Sequence, residues 1–197
     1  MVKRLFDWFV SALGLLVLSP VLLMIALWIK FDSVGPVFFR QERVGQGGKI
    51  FRIFKFRTMV VDAEVKGLQI TVGADARVTQ VGKWLRRYKL DELPQLLDVW
   101  LGRMSLVGPR PEVPRYVACY PDEVRQLVLS VRPGITDKAS IEFKDENEIL
   151  GRASDPNLAY INEVLPIKLG YYVEYVQTQS LWGDIGLILR TVRALVR

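Results

Sequence analysis

The hydrophobic pattern begins with one long apolar stretch. From Leu5 to Ile29 the chain reads LFDWFVSALGLLVLSPVLLMIALWI, enough as a continuous helix to cross a bilayer core of about 30 Å. Ser19-Pro20 falls near its middle, where proline removes a backbone hydrogen bond and crowds the preceding turn, so a bend or break is predicted there. The carbonyl freed by Pro20 needs another donor, and the Ser19 hydroxyl or nearby protein groups can supply it, since lipid offers none. Asp7, the one charge inside the run, is costly against lipid and is expected near the interface, paired with Lys3 or Arg4.

Past this stretch the period changes. Pro36 to Met59 reads as a β-hairpin: Val37-Phe38-Phe39 and Lys49 to Arg57 are rich in strand formers, and Gly45-Gln46-Gly47-Gly48 supplies the turn. The glycine run is not a phosphate loop, because it lacks the earlier glycine and the Ser or Thr after Lys49, and it precedes a strand. Val60 to Gly67 is expected to form a short helix, followed by an irregular Asp75 to Thr79 and a helix from Gly82 to Tyr88. An amphipathic helix follows Asp91, with Leu93, Leu96, Leu97, Val99, Trp100 and Leu101 apolar, and ends at Gly102. Gly108-Pro109-Arg110-Pro111-Glu112 is a rigid extended turn. Glu112 to Val131 is helical with a break at Pro121, and Arg132 to Thr136 is a turn. Lys144 to Glu148 is a solvated charged loop. Asp155-Pro156 opens a helix through Leu165, and Pro166 opens another to about Gln177. From Ser180 to Arg197 an apolar side (Leu181, Trp182, Ile185, Ile188, Leu189, Val192, Val196) is joined by Arg190, Arg193 and Arg197; such a helix either packs on protein or lies on anionic lipid. No internal repeat or low-complexity linker is visible.

Charge and composition narrow this picture. The 197 residues suit one domain with a real core, and 27 Lys and Arg against 21 Asp and Glu give a formal +6 and a pI near 9.5. That balance fits a phosphate-bearing substrate, an anionic membrane surface or nucleic acid, and no nucleic-acid reading module is present. A single cysteine, Cys119, excludes an intrachain disulfide framework and argues against a thiolate zinc site; it is expected in the core. The chain has no histidine, which excludes Ser-His-Asp and Cys-His nucleophilic systems and leaves carboxylates, Lys and Tyr for acid, base or covalent work. Basic residues flank the apolar run on both sides, Lys3 and Arg4 before it, then Lys30, Arg40, Arg43, Lys49, Arg52, Lys55 and Arg57 after it. A re-entrant helix-break-helix hairpin keeps both clusters on the positive cytoplasmic side; a single kinked span and a buried helix of a soluble domain are the other arrangements the residues allow. No small-residue cleavage site follows Ile29, so a removable signal is not expected.

The candidate chemistry lies at Leu90-Asp91-Glu92-Leu93-Pro94-Gln95. Asp91 fits an N-cap and Pro94 the first turn of the following helix, an arrangement that needs no chemistry. Yet Arg86, Arg87 and Lys89 stand just upstream and Arg110 just downstream.

Lys3-Arg4-Leu5-Phe6-Asp7, Ser19-Pro20, Lys55-Phe56-Arg57-Thr58-Met59, Leu85-Arg86-Arg87, Asp91-Glu92-Leu93-Pro94-Gln95, Gly108-Pro109-Arg110-Pro111-Glu112 and Arg132-Pro133-Gly134-Ile135-Thr136, in that order, closely resemble the bacterial sugar transferase family. These are monotopic phosphoglycosyl transferases, similar to the enzyme that starts bacterial N-linked glycan assembly. The resemblance covers nearly the whole chain and suggests a small member without an additional N-terminal membrane domain. It implies an α+β, mainly helical fold, with a re-entrant membrane hairpin over residues 1–30, broken at Ser19 and Pro20, and a catalytic unit over residues 31–197. That unit would hold a small β-hairpin and amphipathic helices at the interface of the inner (cytoplasmic) membrane, on its cytoplasmic face.

The resemblance further implies transfer of a sugar 1-phosphate from a UDP-sugar to undecaprenyl phosphate, with UMP released and Mg²⁺ as cofactor. The family's Asp-Glu dyad falls on Asp91 and Glu92. Asp91 is expected as nucleophile, and Glu92 as Mg²⁺ ligand or proton handler, the dyad together being the candidate metal site. Arg110, fixed between prolines, is the first phosphate candidate and Arg86 the second; Lys55, Arg57 and Arg87 follow, each of which could instead face lipid headgroups. The donor sugar, the glycan pathway and the presence of a homodimer are not legible. The rival of a different class is a non-catalytic adaptor that binds anionic membrane lipid.

Overall fold

In the computed structural model, which describes residues 1–61, 63, 75–142 and 150–196, the apolar run forms a single helix, α1 (Val2–Asp32). It is the one helix among the described residues long and apolar enough to cross a membrane, and at 1.5 Å per residue it extends about 46 Å. The break expected at Ser19-Pro20 is absent, because α1 keeps helical backbone through Pro20. The physical reason is local: Leu16 O, the acceptor that residue 20 would have used, instead accepts from Ser19 Oγ at 2.8 Å. Leu13, Leu16, Val17, Leu23, Met24 and Leu27 are exposed. So much uncovered apolar surface on one helix marks membrane association.

Both ends of α1 are tied to the rest of the protein by polar contacts. At the N-terminal end Lys3 Nζ donates to Val107 O and to Asp184, and Arg4 donates to Val99 O and Trp100 O. Asp7 is buried and accepts from Ser105 Oγ at 2.8 Å and Leu106 N at 3.2 Å. The expected pairing of Asp7 with Lys3 or Arg4 is therefore replaced by hydrogen bonds to a strand, which satisfy a buried carboxylate with two donors. At the other end Ile25 and Ile29 share an apolar cluster with Phe56, Val81 and Leu85.

The hairpin forms as predicted, with β1 (Phe38–Val44) antiparallel to β2 (Ile50–Phe56) and Phe38 opposite Phe56. Next come α2 (Gln80–Arg87), capped by Thr79, whose side chain accepts from Gly82 N, and α3 (Gln95–Trp100). The segment from Pro114 holds α4 (Pro114–Val117) and α5 (Asp122–Val128), separated at Pro121 as expected. A second sheet was not anticipated: β3 (Ser105–Val107) runs parallel to β4 (Gly134–Thr136). Three-residue strands give no periodic signal, and their pairing depends on a contact between glycines: a Cβ on Gly134 would lie 2.1 Å from Gly108 N.

After α6 (Lys138–Glu142), Asp155 caps α7 (Pro156–Ala159) by accepting from Asn157 N and Leu158 N. Pro166 does not start a separate helix. A π-helical turn over Tyr160–Val164 leads straight into α8 (Leu165–Thr178), with Leu165 N bonded five residues back to Tyr160 O. The last helix, α9 (Leu181–Val196), packs Leu187 and Ile188 against the β3 region and leaves Trp182, Leu189 and Val192 exposed. Cys119 is exposed rather than in the core, since α4 turns Tyr116 and Val117 inward instead. The helix expected over Val60 to Gly67 falls largely, and the loop over Lys144 to Glu148 wholly, outside the described residues.

Candidate active site

Asp91 and Glu92 do not begin the amphipathic helix. They lie in a 3₁₀ turn, Leu90–Glu92, entered through Lys89 in the left-handed conformation (φ 55°), and Pro94 occupies the cap position of α3. No N-terminal amide of α3 bonds to the Asp91 carboxyl, so the capping role predicted for Asp91 is not what the fold uses. The left-handed residue explains this, because it reverses the chain after α2 and starts a tight turn in which Glu92 N and Leu93 N bond three residues back.

Two further elements converge on this turn. On β2, Phe54 N donates to the buried Asp98 Oδ2 of α3 at 2.7 Å. That tie sets the neighbouring Lys55 against Glu92, with Nζ to Oε1 at 2.8 Å. The extended segment after β3 brings in Arg110, whose Nη1 donates to Glu92 Oε2 at 3.1 Å and whose Nη2 donates to Oε1. The fork engages both carboxylate oxygens, the geometry that distinguishes Arg from Lys. Gly134 N to Pro109 O at 2.9 Å and Gly108 N to Thr136 O at 3.1 Å hold the backbone of the Arg110 turn.

The two acids experience opposite fields. Burial pushes the Asp91 carboxyl above the usual aspartate range and the negative charge of Glu92 adds to it, against the pull of Lys55, Arg86 and Lys89. Burial also acts on Glu92, but the charges and hydrogen bonds of Arg110 and Lys55 outweigh it and hold that carboxyl well below the ordinary range. Arg110 is raised in turn by Glu92. For Lys55 burial outweighs the attraction of Glu92, so its pKa is lowered. Glu92 is thus a fixed anion between two cations. Asp91 Oδ1 is buried with no hydrogen-bond partner among the described residues, the uncompensated burial that disfavours its charged form.

Of the residues singled out from sequence, Asp91, Glu92, Lys55 and Arg110 come together. Arg86 stands beside them: Nε donates to Thr58 Oγ1 at 2.8 Å, and its charge acts on Asp91. Arg57 is elsewhere, since its guanidinium donates to Ser33 O, Ser33 Oγ, Val34 O and Pro36 O and so closes the loop after α1. Arg87 is exposed, 5.7 Å from the Tyr88 ring centroid. Ser19 and Pro20 lie on α1, in the helix described above.

Asp98 was not singled out from sequence, and Arg43 only as one of the basic residues flanking the apolar run. Arg43 donates to Pro111 O at 3.0 Å and stands 3.7 Å from Glu112. A sequence signal for it existed: strand alternation puts Arg43 on the same side as Phe39 and Gln41 and opposite Arg40 and Glu42. Among the described residues no cluster of three His, Cys, Asp or Glu side chains is present. The two carboxyls of the turn are the available ligands for a hard cation, and Glu92 already uses both oxygens.

The model of the family described as bacterial sugar transferase matches residues 1–197. An Aeromonas hydrophila protein, UDP-N-acetylgalactosamine-undecaprenyl-phosphate N-acetylgalactosaminephosphotransferase, is 36% identical over 99% of this chain and 44% of its own length. UDP-glucose:undecaprenyl-phosphate glucose-1-phosphate transferases from Escherichia coli and Caulobacter vibrioides are 38% and 37% identical over 98% of the chain, covering 39% and 69% of those proteins. The chain therefore spans less than half the length of most of these relatives.

Proposed function

The chain belongs to the bacterial sugar transferase family, and from that premise we propose that it transfers a sugar 1-phosphate from a UDP-sugar to undecaprenyl phosphate, releasing UMP, through a covalent intermediate on Asp91. The observation that carries this reading is the pair of unlike carboxyls: Asp91 Oδ1 is buried without a partner, while both Glu92 oxygens are held by Arg110 and Lys55. A carboxylate stripped of solvent is more basic and, once ionised, a stronger nucleophile.

In the first step a carboxylate oxygen of Asp91 forms a bond to the sugar-bearing phosphorus as the bond from that phosphorus to the bridging oxygen breaks; the oxygen leaves with UMP. In the second step an undecaprenyl phosphate oxygen attacks the same phosphorus, the acyl-phosphate bond breaks, and the Asp91 carboxylate is restored. Arg110, oriented by Glu92 and two prolines, neutralises charge on the attacked phosphate with little reorganisation, and Lys55 and Arg86 add to that field. Glu92 orients these cations instead of moving a proton, because a carboxyl held so far below neutrality is a poor base. Mg²⁺ would take Asp91 and the substrate phosphates as ligands, consistent with its preference for one or two carboxylates plus phosphate and water. When bound it supplies charge neutralisation on the diphosphate.

The membrane disposition follows the same argument. Lys3, Arg4 and Asp7 at one end of α1, and Ile25 and Ile29 at the other, hold the same body of protein. A helix whose two ends hold one body stays with that body on one side of the membrane, its apolar surface in one leaflet and its basic flanks on the cytoplasmic side. The turn at Asp91 then works where a long-chain acceptor presents its phosphate.

The test is UMP release from a panel of UDP-sugars with undecaprenyl phosphate and Mg²⁺. At least one sugar should give acceptor-dependent UMP; release from none would leave the lipid-binding adaptor as the reading.

A further inference from the structure

Glu112 follows the Pro109-Arg110-Pro111 turn directly and is buried. Its carboxylate accepts from Tyr160 OH at 2.6 Å and lies 3.6 Å from Lys168 Nζ and 3.7 Å from Arg43 Nη1. Lys168 Nζ also donates to Tyr160 OH at 3.3 Å. From the hairpin, Arg43 Nη1 donates to Pro111 O and Val44 N to Glu112 O, each at 3.0 Å. The backbone of the turn and the side chain that closes it are therefore gripped by residues from two distant parts of the chain.

Tyr160 and Lys168 are eight residues apart. In a regular α-helix, at 3.6 residues per turn, that spacing leaves two side chains about 80° apart around the axis. The π-helical turn at Tyr160–Val164 absorbs one extra residue, so the effective spacing is about seven and the offset falls to about 20°. Leu165 N bonds to Tyr160 O, and Pro166, which has no N–H to give, follows at once. The wide turn thus brings a hydroxyl and an ammonium onto one line along the helix, both reaching a single carboxylate.

We propose that the π-turn is a positioning device: by aligning Tyr160 and Lys168 on Glu112, opposite Arg43, it clamps the segment that presents Arg110 to the donor phosphate. These are positioning residues, remote from the reacting atoms, and the proposal rests on the reading of Arg110 as a phosphate holder.

The experiment uses the full chain in lipid nanodiscs, with Tyr160→Phe and Lys168→Met. Amide exchange should quicken across Gly108 to Glu112 while α9 exchanges as before, and kcat/KM for the UDP-sugar should fall about 10- to 100-fold, chiefly through KM. A loss of folded protein alone would lower kcat and leave KM unchanged. Unchanged exchange at 108–112 in a folded variant, quickening spread equally over the helices, or an unchanged KM would overturn the proposal. Tyr160→Phe, which removes one hydroxyl, decides the matter should Lys168→Met not fold. If the unaltered protein releases no UMP from any UDP-sugar, the functional reading fails, and the exchange result still decides whether the clamp exists.

Discussion

Asp91 and Glu92 are neighbours in one 3₁₀ turn, yet burial dominates the first and two cations dominate the second. This difference has a pH signature. If turnover needs ionised Asp91, activity falls as pH drops through its raised pKa, so the acid limb of kcat/KM lies above the value of about 3.9 for an ordinary aspartate. Glu92→Gln removes a charge that raises Asp91 and frees Arg110 and Lys55 to stabilise its anion. The acid limb of the residual activity should therefore move to lower pH; a limb that stays in place would assign it to another group. Arg110→Lys keeps the charge and loses the fork. It should lower kcat/KM by about 10- to 100-fold, the equivalent of one charge-assisted hydrogen bond, and a variant within twofold of the parent would remove Arg110 from the site. The acids and Arg110 were singled out by their grouping in a chain without histidine and by the family's motifs, and the fold brings Glu92 and Arg110 into contact. The sequence could not separate Lys55 from Arg57, because which cation meets Glu92 depends on the bond from Phe54 N to Asp98 and on the carbonyls of residues 33–36.

At the level of elements, α1 and the two small sheets decide whether the site assembles. Asp7 ties α1 to β3, two residues before the glycine that begins the Arg110 turn. Asp7→Ala strands Ser105 Oγ and Leu106 N without their acceptor and should cost about 1–3 kcal/mol of stability, measurable by denaturation in detergent. Loss of less than about 0.5 kcal/mol would show that water replaces the contact. The hairpin, α2, and the α4 and α5 pair were legible, since each carries a clear periodic or turn signal. The β3–β4 sheet was not, because its pairing is a long-range contact set by Gly108 and Gly134. Nor was the continuity of α1 through Pro20: the sequence contained both the proline that frees Leu16 O and the serine that answers it, and the energy balance between them is a matter of geometry.

For the whole molecule, the central feature is that a membrane helix and a basic, carboxylate-bearing body are a single packed unit. Both ends of α1 belong to that unit, so a cysteine at Val2, in a Cys119→Ser background, should react with impermeant reagent only from the cytoplasmic side. Labelling from the opposite side would establish a single span. The covalent step is tested most directly by mass spectrometry of the protein incubated with UDP-sugar and Mg²⁺ and no acceptor. The expected result is a sugar-phosphate adduct on Asp91, discharged by undecaprenyl phosphate and absent from Asp91→Asn. An unmodified Asp91 in a protein that still turns over, together with an active Asp91→Asn variant, would contradict the covalent step.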